Sequence, residues 1–275
     1  MLEKSFAKVN LGLSILNQRD DSYHNINTIF IELDFHDTID FVPSDEFILT
    51  TRKAKIPIQS NLVYKVYKFY KNNFDKVDDD FHITIHKNIP IGGGLGGGSS
   101  NAACALKSLN KLWNLNLSDD ELEQIALNFG ADVPFFIRGG SQSGTGIGER
   151  LESIDIKFLK DKGVILLMPD VEISTQWAYS KLKKTLQVSN KDNNLRAPQN
   201  IEGLKLFEND FENVVLSAYP EIGRAKDSLL NSGATYASLS GSGSTVYGIY
   251  DDVVAFNSFH SNFSIYPSVQ SFLRV

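Results

Sequence analysis

The sequence predicts an α/β protein, whose 275 residues suit either one large domain or two of moderate size, with two favoured. Three observations carry that prediction. Residues 5–16 and 81–90 place apolar side chains at every second position, the period of a strand. Residues 61–74 and 99–113 place them three and four apart, the period of a helix. Strand and helix then alternate along the chain, and the patterning breaks near Gly148–Lys162 as charge density rises. That break puts a boundary near residue 155, giving segments 1–155 and 156–275.

The elements follow in order. In 5–16, Ala7, Val9, Leu11, Leu13 and Ile15 form one face, while Lys8 and Asn10 share the other, about 7 Å apart. This reads as a half-buried strand. A turn-rich stretch, 18–25, leads to strands at 26–35 and 37–43. Leu62, Val63, Val66, Phe69 and Tyr70 mark a helix. The strand at 81–90 runs into a glycine loop and then a helix with Ala102, Ala105, Leu106, Leu109 and Leu112 on one face. Ser118 and Glu121 have capping-box spacing, opening a helix at 119–128. Residues 163–170 read as a buried strand, 174–186 as a helix, 188–200 as a surface loop and 221–232 as a helix. A second glycine-serine loop, within 236–250, feeds a strand.

Composition removes several function classes. A formal charge of −6 argues against a nucleic-acid partner, whose footprint is a basic face. The single cysteine, Cys104, precludes an internal disulfide and reads as a small buried apolar residue. No apolar run approaches the roughly 20 residues that span a bilayer, so no membrane partner is expected. The first residues lack signal or transit character, and the bacterial cytosol is the expected compartment. His36, His82, His86 and His260 show no metal-ligand spacing.

Residues 90–103 read PIGGGLGGGSSNAA, with six glycines in the seven positions 92–98. Glycine loses the most backbone entropy on folding, so such a run needs a cause. A flexible linker is one reading, but the run joins a strand to a helix. A dinucleotide fingerprint is another, since Gly92, Gly94 and Gly97 satisfy G-x-G-x-x-G. Any glycine-rich stretch does so by chance. The third reading is a phosphate cradle at a helix N-terminus, without the G-x-x-x-x-G-K-[ST] pattern.

These residues resemble the second motif of the GHMP kinases, ATP-dependent kinases of small molecules. FAKVNLGLSI resembles the first motif of that family, GADVPFFIRG its G-A-D-V-P segment, and SLSGSGSTVYGIY its third motif. QRDDSYHNINTIF and the expanded glycine loop resemble the branch that phosphorylates a cytidine-diphosphate-linked methylerythritol. Ser22 departs from that pattern, which has glycine before Tyr-His. The resemblance implies an N-terminal ATP-loop domain, a C-terminal ferredoxin-like domain and an active site in the cleft between them. The alternatives are a kinase of mevalonate, homoserine or a sugar, a nucleotide-dependent oxidoreductase, or a catalytically silent ATP-binding module.

The resemblance also assigns residues. Asp132 reads alone as either a helix N-cap or a base; the family implies the base. Lys8 reads alone as a solvated strand lysine; the family implies the partner that lowers the hydroxyl pKa or keeps Asp132 ionised. Asn10, Tyr23, His24, Thr175, Gly241, Ser242 and Gly243 would contact substrate, with Tyr23 stacking on cytosine. Lys87, Pro90, Ile91, Gly92, Gly93, Gly94, Leu95, Gly96, Gly97, Gly98, Ser99 and Ser100 would hold ATP. Ser100 is also the candidate Mg²⁺ ligand. Helix capping remains an equal reading for Ser100 and Thr175, and a surface lysine for Lys87.

Overall fold

The computed structural model describes residues 1–75, 77–182, 197–258 and 266–275. Two strands come first, β1 (Leu2–Gln18) and β2 (His24–Ser44). Both are split between two compact units. The first unit takes 1–7, 36–91 and 96–139; the second takes 8–35, 92–95 and 140–275. The units thus interleave along the sequence, unlike a single division at residue 155, because two long strands each serve both.

In the first unit, β3 (Ile48–Arg52) and β4 (Asp80–His86) pair in parallel, and β4 pairs antiparallel with Thr38–Ser44 of β2. Phe81, Ile83 and Ile85 point into the core, as the alternation of β4 requires. Helix α1 (Leu62–Asn73) begins where the Asn61 carboxamide accepts from the Val63 amide. Its Val63, Val66 and Tyr70 are buried, and the Tyr70 hydroxyl donates to the Leu106 carbonyl of α2 (Gly97–Leu112) at 3.0 Å. The Ser118–Glu121 capping box forms and opens α3 (Asp119–Ala126). A short helix, α4 (Phe135–Arg138), follows.

In the second unit, the hairpin β5 (Ser141–Thr145) and β6 (Arg150–Ser153) pairs through β5 with Thr28–Ile31 of β2. Strand β7 (Gly163–Leu167) is buried along its whole length, as its unbroken apolar run predicts. Then come α5 (Thr175–Leu182), α6 (Glu212–Ala218), α7 (Pro220–Asn231), β8 (Tyr236–Leu239), β9 (Val246–Tyr250), α8 (Val253–Asn257) and β10 (Ser268–Arg274). The strands lie in the order β10-β7-β9-β8, with every neighbour antiparallel. This is the split β-α-β-β-α-β arrangement of ferredoxin-like domains. Leu13, Ile15 and Ile26 join Ile165, Leu167, Ile222, Leu229 and Leu239 in its core.

Two expectations change. The strands foreseen at 26–35 and 37–43 are one strand, β2, whose burial passes from continuous to alternating near Asp34. β1 is not half-buried: Ala7–Leu13 are buried on both faces. The helix foreseen at 174–186 is described to Leu182, and most of the loop at 188–200 lies outside the described residues, as does His260.

Candidate active site

Strand β1 carries Lys8 and Asn10 on one face, as the alternation predicts. Lys8 is 4% exposed, so the solvated reading fails. Its ammonium donates to Asn10 Oδ1 at 2.6 Å and stands over the Phe30 ring, 5.5 Å from the centroid. Asn10 Nδ2 donates to Thr28 Oγ1 at 3.0 Å, and the Tyr247 hydroxyl donates to the Asn10 carbonyl at 2.7 Å. Burying an ammonium costs several kcal/mol in the absence of compensating partners. A hydrogen bond and a ring face are the kind of partners that offset such a cost.

The glycine run has two kinds of close neighbour, both protein. In the second unit, the Gly93 carbonyl accepts from the Thr245 amide at 3.2 Å, and the Gly94 carbonyl accepts from Ser240 Oγ at 2.9 Å. A Cβ on Gly94 would stand 2.0 Å from the Ser240 carbonyl oxygen, and its φ of +77° is left-handed. The Leu95 carbonyl accepts from the Lys8 amide at 3.0 Å. The Gly241–Gly243 loop is itself held by Asn209, whose Nδ2 donates to the Leu239 and Gly241 carbonyls, each at 2.8 Å. In the first unit, a Cβ on Gly97 would lie 2.8 Å from Ile89 Cγ2, while one on Gly98 would meet only Leu62, at 3.9 Å.

Helix α2 begins at Gly96, which offers no side chain to cap it, and its first turn carries no acid. The first amides of a helix have no intrahelical acceptor, and the dipole there is positive. This start therefore suits an anion. Ser100 is buried, with its hydroxyl 2.7 Å from that of Ser5. Lys87 is buried too, which removes the surface-lysine reading. It forms an ion pair with Asp37 and donates to Asn101 Oδ1 at 3.3 Å. Asp37 is fully buried and accepts from the Asn88 and Ile89 amides at 2.7 and 2.9 Å and from Asn101 Nδ2 at 2.9 Å. It ties the residues before the glycine run to those after it.

Asp132 lies half-buried in the turn before α4. The N-cap position of α4 is Pro134, without a side-chain cap, so Asp132 is not the cap of that helix. Tyr23 is 60% exposed. Its neighbour His24 is buried rather than on the surface and stacks on Tyr179, with centroids 5.1 Å apart and planes 19° apart. Ser22 takes a φ of +71°, the left-handed conformation that glycine adopts without penalty. The Thr175 hydroxyl lies 2.9 Å from that of Ser242, and Ser174, not Thr175, accepts from the Trp177 amide at the start of α5.

Two family models match: "GHMP kinases N terminal domain" over residues 61–140 and "GHMP kinases C terminal" over 193–257. The chain is 40% identical over 256 residues to the 4-diphosphocytidyl-2-C-methyl-D-erythritol kinase of Prosthecochloris aestuarii, covering 90% of this chain and 88% of that one. It is 40% identical over 247 residues to the enzyme of the same name from Parabacteroides distasonis, covering 89% and 90%. The chain belongs to the 4-diphosphocytidyl-2-C-methyl-D-erythritol kinases of the GHMP family. A crystal structure of a 4-(cytidine 5'-diphospho)-2C-methyl-D-erythritol kinase superposes with a TM-score of 0.81 at 26% identity, each chain covered completely. The Methanococcus jannaschii mevalonate kinase superposes at 0.71 with 17% identity, over 99% of this chain and 98% of that one, which speaks for the fold alone.

Membership in these kinases fixes the fold as the two-domain GHMP arrangement and sets the oxidoreductase reading aside. Several residues of interest gave no signal in the sequence. Thr28, Asp37 and Tyr179 lie in runs that read as ordinary strand or helix, and only tertiary contacts single them out. An open pocket of about 490 Å³ in the first unit, lined by Leu49, Thr51, Ala54, Ile56, Ile58 and Asn61 among others, draws on a strand that the patterning did not reveal. No helix among the described residues is long and apolar enough to cross a membrane.

Proposed function

We propose that this chain transfers the γ-phosphoryl group of ATP to the 2-hydroxyl of 4-diphosphocytidyl-2-C-methyl-D-erythritol. The observation that carries the reading is 40% identity, over nine-tenths of the chain, to a kinase named for that substrate. Phosphoryl transfer needs in-line positioning and neutralised phosphate charge more than covalent help. In this reading the segment Pro90–Ser100, with Lys87 behind it, holds the ATP phosphates at the uncapped start of α2. The open pocket beside Asn61, lined by both apolar residues such as Leu49 and Ile56 and polar ones such as Thr51 and Lys55, is where this reading puts the adenine base.

Asp132 takes the proton of the 2-hydroxyl, and the Lys8 ammonium stabilises the oxygen as it gains charge. Asn10, Thr175 and the Gly241–Gly243 loop contact the substrate, and Tyr23 and His24 take the cytidine. Mg²⁺ enters with the triphosphate as part of the nucleotide substrate. Ser100, whose hydroxyl lies 2.7 Å from that of Ser5, is the protein group proposed to meet it, directly or through water. Among the described residues no group of three or more His, Cys, Asp or Glu side chains could hold a metal.

An ADP-release assay with a panel of alcohols tests the reading. Turnover is expected with the cytidyl substrate and not with mevalonate, homoserine or methylerythritol phosphate lacking cytidine. Turnover of mevalonate or homoserine with none of the cytidyl compound would overturn it. Asp132→Asn should lower kcat by roughly 10²–10⁴, the usual contribution of a general base, with ATP affinity by calorimetry nearly unchanged. A folded variant with wild-type kcat removes Asp132 from the mechanism.

A further inference from the structure

We propose that Thr28 is a positioning residue for Lys8, acting through the side-chain amide of Asn10. The inference rests on the catalytic reading of Lys8 given above. Thr28 is fully buried, on the segment of β2 paired with β5. Its hydroxyl donates to the Gly12 carbonyl at 2.5 Å. A hydroxyl has one proton, so Thr28 Oγ1 can then only accept. Asn10 stands 3.0 Å away and must present its amide nitrogen to that oxygen. This leaves Asn10 Oδ1 turned towards Lys8, whose ammonium can only donate, at 2.6 Å.

The opposite orientation of the amide would set its NH₂ against the ammonium and its oxygen against a hydroxyl whose proton is already engaged. The direction of the chain is thus the same read from either end, the Gly12 carbonyl or the ammonium. Two features hold its ends. Gly12 is in the left-handed region, at φ +64°, with the Phe207 ring 3.1 Å from where a Cβ would be, so its carbonyl is aimed by a backbone conformation that favours glycine. The main chain of Asn10 is held by the Tyr247 hydroxyl. What Thr28 alone supplies is the acceptor that anchors the Asn10 amide nitrogen; without it the amide is held only by the ammonium it is meant to seat.

The test is a double-mutant cycle. Thr28→Val removes the hydroxyl and keeps the branched shape; Thr28→Ser keeps the hydroxyl. Thr28→Val should lower kcat by roughly 5- to 150-fold, the factor that corresponds to one buried hydrogen bond left unmade. KM for ATP should not move, and Thr28→Ser should restore most of the rate. In a Lys8→Ala background, followed by single-turnover phosphoryl transfer, Thr28→Val should have no further effect on the rate. An equal loss in both backgrounds, or wild-type kcat for Thr28→Val, overturns the inference. Wild-type kcat for Lys8→Ala alone overturns the catalytic reading of Lys8 instead, and the inference falls with it. If Thr28→Val does not fold, Thr28→Ala is carried through the same cycle and judged by the same outcomes.

Discussion

Cys104 sits on α2 with its thiol buried and 4.0 Å from the Ser108 hydroxyl. Burial pushes that thiol up to about 11, from an ordinary value of 9.0. A folded-state value above the unfolded one means that Cys104 supports the fold fully below pH 9 and loses that support as the pH rises towards 11. Stability measured by urea titration should therefore begin to fall between pH 9 and 10. Cys104→Ala should be less stable at pH 7 but flatter across that interval; an equal slope for both proteins rules the thiol out. Tyr236, pushed up to about 12 by burial, extends the decline above pH 10. At the other extreme of exposure, Tyr23 has an open ring face. If it stacks on cytosine, Tyr23→Ala should raise KM for the cytidyl substrate by roughly 5- to 150-fold and leave ATP affinity alone; an unchanged KM in a folded variant makes it a bystander. At this scale the sequence was legible where one strand's alternation sufficed, as for Lys8 and Asn10 sharing a face. It was not legible where partners come from afar. The burial of Lys8 under Phe30, the pairing of Lys87 with Asp37 and the stacking of His24 on Tyr179 each need a residue on another element.

Among the elements, the strand–glycine loop–helix unit was readable from its periodicities, but the reason for its glycines was only half visible. Gly94 is required by the carbonyl of Ser240, and Gly97 by Ile89, before any nucleotide is considered. Substituting either one therefore disturbs the fold and probes phosphate binding poorly. Gly98 separates the two demands. Gly98→Ala meets only Leu62 and replaces glycine within a helix, a change worth up to about 1 kcal/mol of stability. It should keep or raise Tm and weaken ATP binding in calorimetry, because the added methyl crowds the first amides of α2. Gly94→Ala should lower Tm with or without nucleotide. Unchanged ATP affinity for Gly98→Ala would move the phosphates away from that turn. Three of the strands missed by the pattern share a cause. β3, β5 and β6 are short, polar and half-exposed, so they carry no apolar period, and they are strands because a neighbour supplies the ladder.

For the whole molecule, the two-domain class was legible, while the interleaving of the compact units was not, because long strands are divided in space without any mark in composition. The second unit makes this concrete. Strand β10 lies between β7 and β2, with Val269 opposite Leu166 and Leu273 opposite Leu33, and Arg274 Nε is 2.8 Å from Glu32 Oε2. A chain ending at residue 267 would expose two unpaired strand edges. It should aggregate or bind an apolar dye such as ANS; a truncated protein with wild-type Tm would show that β10 is dispensable. The same placement bears on synthesis. Residues 8–35 leave the ribosome early with Leu11, Leu13, Ile15 and Ile31, all buried in the folded protein. At about 5–20 residues per second, β10 follows roughly 10–50 seconds later. Through that interval Glu32 and Leu33 of β2 lack the ladder partner that β10 supplies, the kind of edge that seeds intermolecular pairing. Slow translation of the second half of the chain would lengthen the exposure of that edge.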